Sequence, residues 1–263
     1  MSTTPLDLPP TLGLTHADRV AVLTLRRPEK RNAIDDATLL GIERFFTDLP
    51  TQVGCVVIAA EGDHFCAGLD LAEMAERDTL AGVRHSRAWH RAFEAIEFGP
   101  VPVVSALKGA VIGGGLELAA ATHLRVAERS TFYALPEGMR GIFVGGGGSV
   151  RLPRLIGAAR MADLMLTGRR YDAEEGAAVG LSHYVADDGA GLDLALELAT
   201  RIADNAPQTN FAIIQALPRI AEANPREGYF MEAMMAAIAQ GTDDAKQRMH
   251  AFLDGRAPKV TDR

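Results

Sequence analysis

Three consecutive glycines, Gly113, Gly114 and Gly115, sit between an apolar run, Val101-Pro-Val-Val-Ser-Ala-Leu107, and a Leu116-Glu-Leu-Ala-Ala-Ala121 segment. An apolar run without polar alternation reads as a buried strand. The segment after the glycines reads as a helix, and the first turn of any helix carries N–H groups with no partner inside it. Glycine lets another group approach such a backbone closely. The same succession occurs upstream. Cys55-Val-Val-Ile-Ala-Ala60 predicts a strand, His64-Phe-Cys-Ala67-Gly68-Leu69-Asp70-Leu71 a turn, and Leu71-Ala-Glu-Met-Ala-Glu76 a helix. Val20–Leu25 and Leu124–Ala127 predict further strands, and Ile34 to about Phe46 an amphipathic helix that Asn32 is placed to cap. Recurring strand, turn and helix point to a wound α/β core, preceded by a loose arm over residues 1–17.

Within this glycine-dense setting stand two acids. Glu117 lies in the small apolar segment after the glycines, and Glu137 in Phe132-Tyr-Ala-Leu-Pro136-Glu137-Gly138. An unpaired buried carboxylate is costly, so packing alone gives no reason to place one there. Either acid alone is as readily a salt-bridged or hydrogen-bonded structural group. Two desolvated carboxylates together are suited to proton transfer near neutral pH. If the two strand-to-helix turns converge, their N–H groups make an oxyanion hole from backbone.

Five motifs occur in the order found in the enoyl-CoA hydratase/isomerase, or crotonase, family. They are Leu25-Arg-Arg-Pro28-Glu29-Lys30-Arg31-Asn32-Ala33-Ile34; Phe65-Cys-Ala67-Gly68-Leu69-Asp70-Leu71; Pro102 to Gly109 with Gly113-Gly-Gly-Leu-Glu117-Leu-Ala119; Phe132-Tyr-Ala-Leu-Pro136-Glu137; and Gly145-Gly-Gly-Gly148 with Arg151-Leu-Pro-Arg154-Leu-Ile-Gly157. The chain resembles that family from about Arg19 to about Pro258. The resemblance implies a spiral of ββα units over residues 1–186 that holds the CoA and catalytic sites. It also implies a helical region over 187–263 that drives trimer formation.

The resemblance assigns roles to positions. Leu69 and Gly114 would donate the two oxyanion N–H groups. Ala67 would meet the CoA adenine, Gly145 would lie near the catalytic water, and Arg27, Lys30 and Asp70 belong to the CoA-binding positions. Arg26 and Arg31 complete the basic cluster at the CoA phosphate and ribose. Glu117 and Glu137 match the two acids that hydratases use together, Glu117 chiefly to activate water and Glu137 to orient it and supply a proton. The expected activity is hydration of the 2,3 double bond of an enoyl-CoA thioester, with CoA part of the substrate and no separate cofactor or metal. Enoyl-CoA isomerisation, hydration coupled to carbon–carbon cleavage, and non-catalytic acyl-CoA binding are the alternatives.

Composition narrows the partners. A net charge of −7 argues against nucleic acid, and makes the basic cluster at 26–31 the local answer to a polyanionic CoA. Cys55 and Cys66 lie in strand-like apolar surroundings and read as core residues. The first residues lack the apolar stretch of a signal peptide, and no apolar run is long enough to span a bilayer. A cytoplasmic protein without a membrane partner is expected. Gly113–Gly115 fails the dinucleotide fingerprint because Leu118 stands at the last glycine position. Ser149 reads as a helix start, Trp89 and Phe93 as core or acyl-pocket wall, and His85 and His90 lack metal-site spacing. His123, where many family members carry aspartate, reads as structural; Val144, Gln247-Arg248 and Gly255 are further departures. Helices are predicted over Leu192–Asn205, Asn210–Ala221, Arg226–Gln240 and Asp243–Leu253. The apolar succession Phe230, Met231, Met234, Met235, Ile238 predicts a homotrimer or dimer of trimers.

Overall fold

The structure, a computed structural model, describes residues 7–73 and 78–256. In chain order the strands are β1 (Leu12–Ala17), β2 (Val20–Leu25), β3 (Cys55–Ala60), β4 (Val103–Leu107), β5 (Ala110–Ile112), β6 (Leu124–Glu128), β7 (Phe132–Ala134), β8 (Arg170–Asp172) and β9 (Tyr184–Ala186). The helices are α1 (Asp36–Thr47), α2 (Thr79–Glu97), α3 (Gly114–Ala121), α4 (Gly148–Ile156), α5 (Ala158–Thr167), α6 (Ala173–Val179), α7 (Gly191–Ala203), α8 (Pro207–Glu222), α9 (Pro225–Gln240) and α10 (Asp243–Leu253).

A large sheet runs β1-β2-β3-β4-β6-β9, parallel except for the β1–β2 pair. A small sheet runs β5-β7-β8, and two isolated parallel bridges extend its path, Cys66 to Val111 and Ile34 to Leu69. Each chain segment that leaves the large sheet therefore adds one short extended piece beside the previous one, then turns into a helix. This stepwise advance is the expected spiral of ββα units.

The inner strands β2, β3, β4 and β6 are buried on both faces, which explains their largely apolar runs. Val56, Ile58 and Ala60 of β3 join Leu23, Ile42, Phe45 and Phe93 in the main core. The intervening Cys55, Val57 and Ala59 pack on Ala195, Leu198, Ala199 and Ala203 of α7. Fully burying a side chain such as Phe45 or Phe93 stabilises the fold by about 1.5–3 kcal/mol relative to exposure. The boundary expected at residue 187 precedes α7, yet α7 lies against β2, β3, β4, β6 and β9. The helices that follow it pack on one another, α8 on α9 and α9 on α10. Each of the four expected C-terminal helices is present within three residues of its predicted bounds, the last at those bounds.

Three sequence expectations are corrected. Residues 12–17 are strand rather than a loose arm: the apolar residues Leu12 and Leu14 face the core while Thr15, His16 and Ala17 lie exposed along the sheet edge. Asn32 does not cap α1. Asp35 does, accepting from Thr38 N–H at 2.8 Å. Asn32 instead adopts a left-handed backbone, φ 56°, and its amide donates to Glu61 O (2.9 Å) and His64 O (2.7 Å). The helix expected from Leu71 to Glu76 is a single 3-10 turn over Leu71–Glu73, the remainder lying outside the described residues. The next helix is α2, capped by Asp78.

Candidate active site

A short ladder sets the two glycine turns side by side. Phe65 N–H donates to Lys108 O (2.8 Å), Cys66 N–H to Ala110 O (3.0 Å) and Ile112 N–H to Cys66 O (3.0 Å). The loop carrying Leu69 is thereby registered on β5, which runs directly into α3. Gly68 has φ 94°, and a Cβ there would stand 2.9 Å from Ile112 O and 3.0 Å from Gly114 N, so only glycine permits this approach. On the other side, Ile34 N–H bonds Gly68 O and Asp70 N–H bonds Ile34 O. Leu69 N–H thus faces away from Ile34, towards the start of α3. Neither Leu69 N–H nor Gly114 N–H has an acceptor among the described residues. Two open, adjacent N–H donors are what an oxyanion hole requires.

Glu117 projects from the first turn of α3 and is 3% exposed. Its Oε1 accepts from Gly146 N–H (2.8 Å) and Gly148 N–H (2.7 Å). A Cβ at Gly148 would meet Oε1 at 2.8 Å, and one at Gly146 would meet Oε2 at 3.1 Å; the glycine run therefore exists to bring bare backbone onto this carboxylate. Burial raises the Glu117 pKa, while the Gly148 and Gly146 N–H groups and the Arg151 charge oppose the rise.

Glu137 follows β7 and opens a 3-10 turn over Gly138–Arg140. It is also buried, but its Oε2 has no hydrogen-bond partner. Burial pushes its carboxyl up to about 7, with the nearby Glu117 adding to the rise and Arg140 opposing it. The approach of Glu137 Oε1 accounts for Gly113, where a Cβ would stand 2.6 Å away.

Ala67, Leu69, Gly114, Glu117, Glu137 and Gly145 all line one cavity of about 420 Å³. Arg27, Lys30 and Asp70 do not line it. Asp70 is held by Ala72 N–H (3.0 Å), Arg27 (2.7 Å) and Lys30 (3.3 Å), which lower its pKa to about 2. Arg27 also pairs with Asp35 at 3.1 Å and donates to Ala33 O. The three residues form a network that pins the Leu69 loop to residues 27–35, with the Lys30 ammonium half exposed. Arg26 pairs with Glu61.

The outer wall comes from α2 and from Ile142, Phe143 and Val144. Trp89 lines the cavity with the edge of its ring against Gly114 and Gly146, whereas Phe93 is fully buried behind it. Ser86, which the sequence reading missed, donates to Gly145 O at 2.5 Å. Its signal in the sequence is the amphipathic repeat over 79–97. His85 Nε2 stands 3.3 Å from Asp36 Oδ1 without hydrogen-bond alignment. His123 is structural: its Nδ1 accepts from Val103 N–H (2.9 Å), its Nε2 meets Glu97 O (3.1 Å), and burial lowers its pKa to about 4. Cys55 and Cys66 are free and buried, their thiols pushed up to about 12 by burial. No helix among the described residues is long and apolar enough to cross a membrane. Nor do those residues include a cluster of three or more His, Cys, Asp or Glu side chains placed to hold a metal ion.

A spiral α/β core carries two open N–H donors and two buried carboxylates on one cavity, the arrangement expected of the crotonase fold. Residues 15–263 match the family described as enoyl-CoA hydratase/isomerase, and the chain belongs to that family. It is 32% identical to the 2,3-dehydroadipyl-CoA hydratase of Escherichia coli, over 94% of this chain and 97% of that protein. It is 30% identical to the short-chain-enoyl-CoA hydratase of Clostridium acetobutylicum, over 90% and 92%. Among solved structures, one from Rhodopseudomonas palustris carrying the provisional description enoyl-CoA hydratase superposes with a TM-score of 0.91. It is 58% identical and covers 94% of this chain and 95% of its own. The enoyl-CoA hydratase of Bacillus anthracis gives a TM-score of 0.88 at 30% identity, over 96% and 100%.

Proposed function

We propose that this protein is an enoyl-CoA hydratase-type lyase that adds water reversibly across the 2,3 double bond of an enoyl-CoA thioester. The observation that carries the reading is the unequal treatment of two glutamates on one cavity. Glu117 Oε1 receives two backbone N–H bonds, which favour its ionised form and suit it to take a proton from water. Glu137 has an unpartnered oxygen and a pKa near 7, which suits it to deliver a proton to C2 at neutral pH. Leu69 and Gly114 N–H would hold the thioester oxygen and stabilise the enolate that forms as the water oxygen bonds C3. Removal of one such donor typically costs ~10²–10³ in rate.

The CoA portion then lies outside the cavity, past Ala67. The Ala67 N–H is used by Arg31 O, which leaves its carbonyl for the adenine. Lys30 and the exposed Arg31 are placed for phosphate or ribose, while Arg27 and Asp70 act by fixing the loop that carries Ala67 and Leu69. The exposed Phe230, Met234 and Ile238 of α9, with Phe211 and Leu217 of α8, support assembly as a homotrimer or a dimer of trimers. Two unpaired cysteines fit a cytoplasmic setting.

Product analysis on matched substrates tests the reaction. With a 2-enoyl-CoA the expected product is the 3-hydroxyacyl-CoA. Conversion of a 3-enoyl-CoA to its 2-isomer without hydration would replace the reading by isomerisation, and release of a shortened acyl-CoA would replace it by hydration with carbon–carbon cleavage. CoA-ester binding with no turnover would make the protein a carrier.

A further inference from the structure

The grip on Glu117 depends on the orientation of two peptide groups, and both are held from behind. Gly145 O and Gly146 N–H belong to the same trans peptide and point in opposite directions. Ser86 of α2 donates to Gly145 O at 2.5 Å, so Gly146 N–H faces the other way, onto Glu117 Oε1 at 2.8 Å. The peptide between these two, Gly146–Gly147, is fixed by Arg151 of α4, whose Nη1 donates to Gly146 O at 3.0 Å. Arg151 is only 7% exposed. Its Nε pairs with Glu97 at the end of α2 at 2.6 Å, and its own backbone N–H donates to Gly147 O at 3.1 Å. Gly147 O in turn shares a peptide with Gly148 N–H, the second donor to Glu117. Gly147 has φ 96°, a conformation closed to ordinary side chains, and a Cβ there would collide with the Arg151 guanidinium. Val150 N–H also donates to Gly147 O at 3.1 Å, so the start of α4 holds the second peptide while Ser86 and the Arg151 side chain hold the two before it.

We propose that Ser86 and Arg151 are positioning residues that clamp the carbonyls of the 145–148 turn, so that its N–H groups converge on the Glu117 carboxylate. Arg151 is oriented for this by Glu97. The clamp is a property of the fold and stands apart from the reaction; it rests on the hydratase reading only in giving Glu117 the part of base. Loosening it weakens hydrogen bonds made to the charged form of Glu117, so the acid should titrate at higher pH. The other titratable and charged groups around the turn are His85, Arg87, His90, Glu94 and Glu97 on α2, Arg151 and Arg154 on α4, Arg219 and Glu222 on α8, and Glu137 and Arg140 on the 137–140 segment.

The test reads Glu117 itself. Glutamate carboxyls are labelled with ¹³C in the full-length protein, and the Glu117 resonance is assigned by its loss in Glu117→Gln. Its titration midpoint is then followed in the parent, Ser86→Ala and Arg151→Gln. Ser86→Ala deletes one oxygen and improves helix propensity, so α2 should be retained. The midpoint should rise by roughly half to one pH unit in Ser86→Ala, and further in Arg151→Gln, which also loses a cation. Arg151→Lys should return only part of the shift, because an ammonium cannot serve Gly146 O and Glu97 with a planar fork. An unmoved midpoint in Ser86→Ala overturns the clamp, whatever Arg151→Gln does or whether it folds. The acid limb of the hydration rate, followed in parallel, should move with the midpoint while KM stays within about twofold. A moved midpoint with a fixed acid limb, or a parent that hydrates nothing, would strike the hydratase assignment and leave the clamp standing.

Discussion

Glu137→Gln makes the sharpest demand on the site, because it should change stability in a way that depends on pH. The carboxyl is buried, one oxygen is unpartnered, and its pKa is displaced from an ordinary 4.5 to about 7. In an unfolded chain the same group ionises at its ordinary value. Between the two pH values the folded state holds a proton that the unfolded state has lost. Stability therefore falls as pH rises through this window, the opposite of the behaviour of a salt-bridged acid. At about 1.4 kcal/mol per pH unit, the full window amounts to about 3 kcal/mol. Glutamine removes the titration and keeps the volume. Its amide leaves the same buried position unpaired, which is a pH-independent cost that cancels when the two proteins are compared across pH. Urea unfolding of parent and variant at about pH 5 and about pH 8 should show the variant gaining on the parent by about 2–3 kcal/mol over that interval. A parent–variant difference that stays flat would mean that Glu137 is solvated or partnered as an ordinary acid, and would remove the physical basis for treating it as the proton donor. The same variant should lose kcat by roughly 10²-fold or more.

Glu117→Gln retains an oxygen for both Gly146 and Gly148 N–H and loses only its basicity, so kcat should fall by roughly 10²-fold or more with KM changed little in steady-state hydration assays. Parental turnover in that variant would leave the family assignment without the two-glutamate mechanism. At Leu69 the backbone matters more than the side chain: Leu69→Ala should keep most activity, whereas Leu69→Pro, which deletes the N–H, should lose ~10²-fold or more even when circular dichroism shows a folded chain. Equal activities of the two would dismiss the oxyanion role. For assembly, multi-angle light scattering at micromolar concentration should give a trimer or hexamer, and a purely monomeric profile would leave the exposed apolar residues of α8 and α9 to another explanation.

Much of this site is legible in sequence because its contacts are made by backbone and its glycines mark where. Gly68, Gly113, Gly114, Gly146 and Gly148 each occupy a place where a Cβ would meet a backbone atom, a ring or a carboxylate within 3.1 Å. The strands were readable for a related reason: burial on both faces leaves no polar alternation to confuse the pattern. The elements without a clear sequence pattern lack one for physical reasons. β1 is an edge strand whose outer half is exposed, so its apolar signal is confined to Leu12 and Leu14. The pieces of the small sheet, β5, β7 and β8, are three residues each, too short for any period to emerge. The ion pairing of Arg27 and Asp70 with each other, and with Asp35 and Lys30, joins segments some forty residues apart in sequence and has no local pattern. Trp89 faces the cavity and Phe93 the core although both sit on one face of α2, a difference set by the neighbouring glycines rather than by the helix period.

The two acids show how far residue type underdetermines chemistry. Glu117 and Glu137 are the same side chain, buried to a similar degree, on the same cavity. Burial raises both pKa values. The asymmetry comes from what the backbone supplies: two N–H groups on Glu117 Oε1, none on Glu137 Oε2. The nearby Glu117 adds to the rise of the Glu137 pKa, so the two titrations are coupled. A site of this kind assigns base and acid by the shape of a glycine turn, and whatever holds that turn shares in deciding which carboxylate carries the proton.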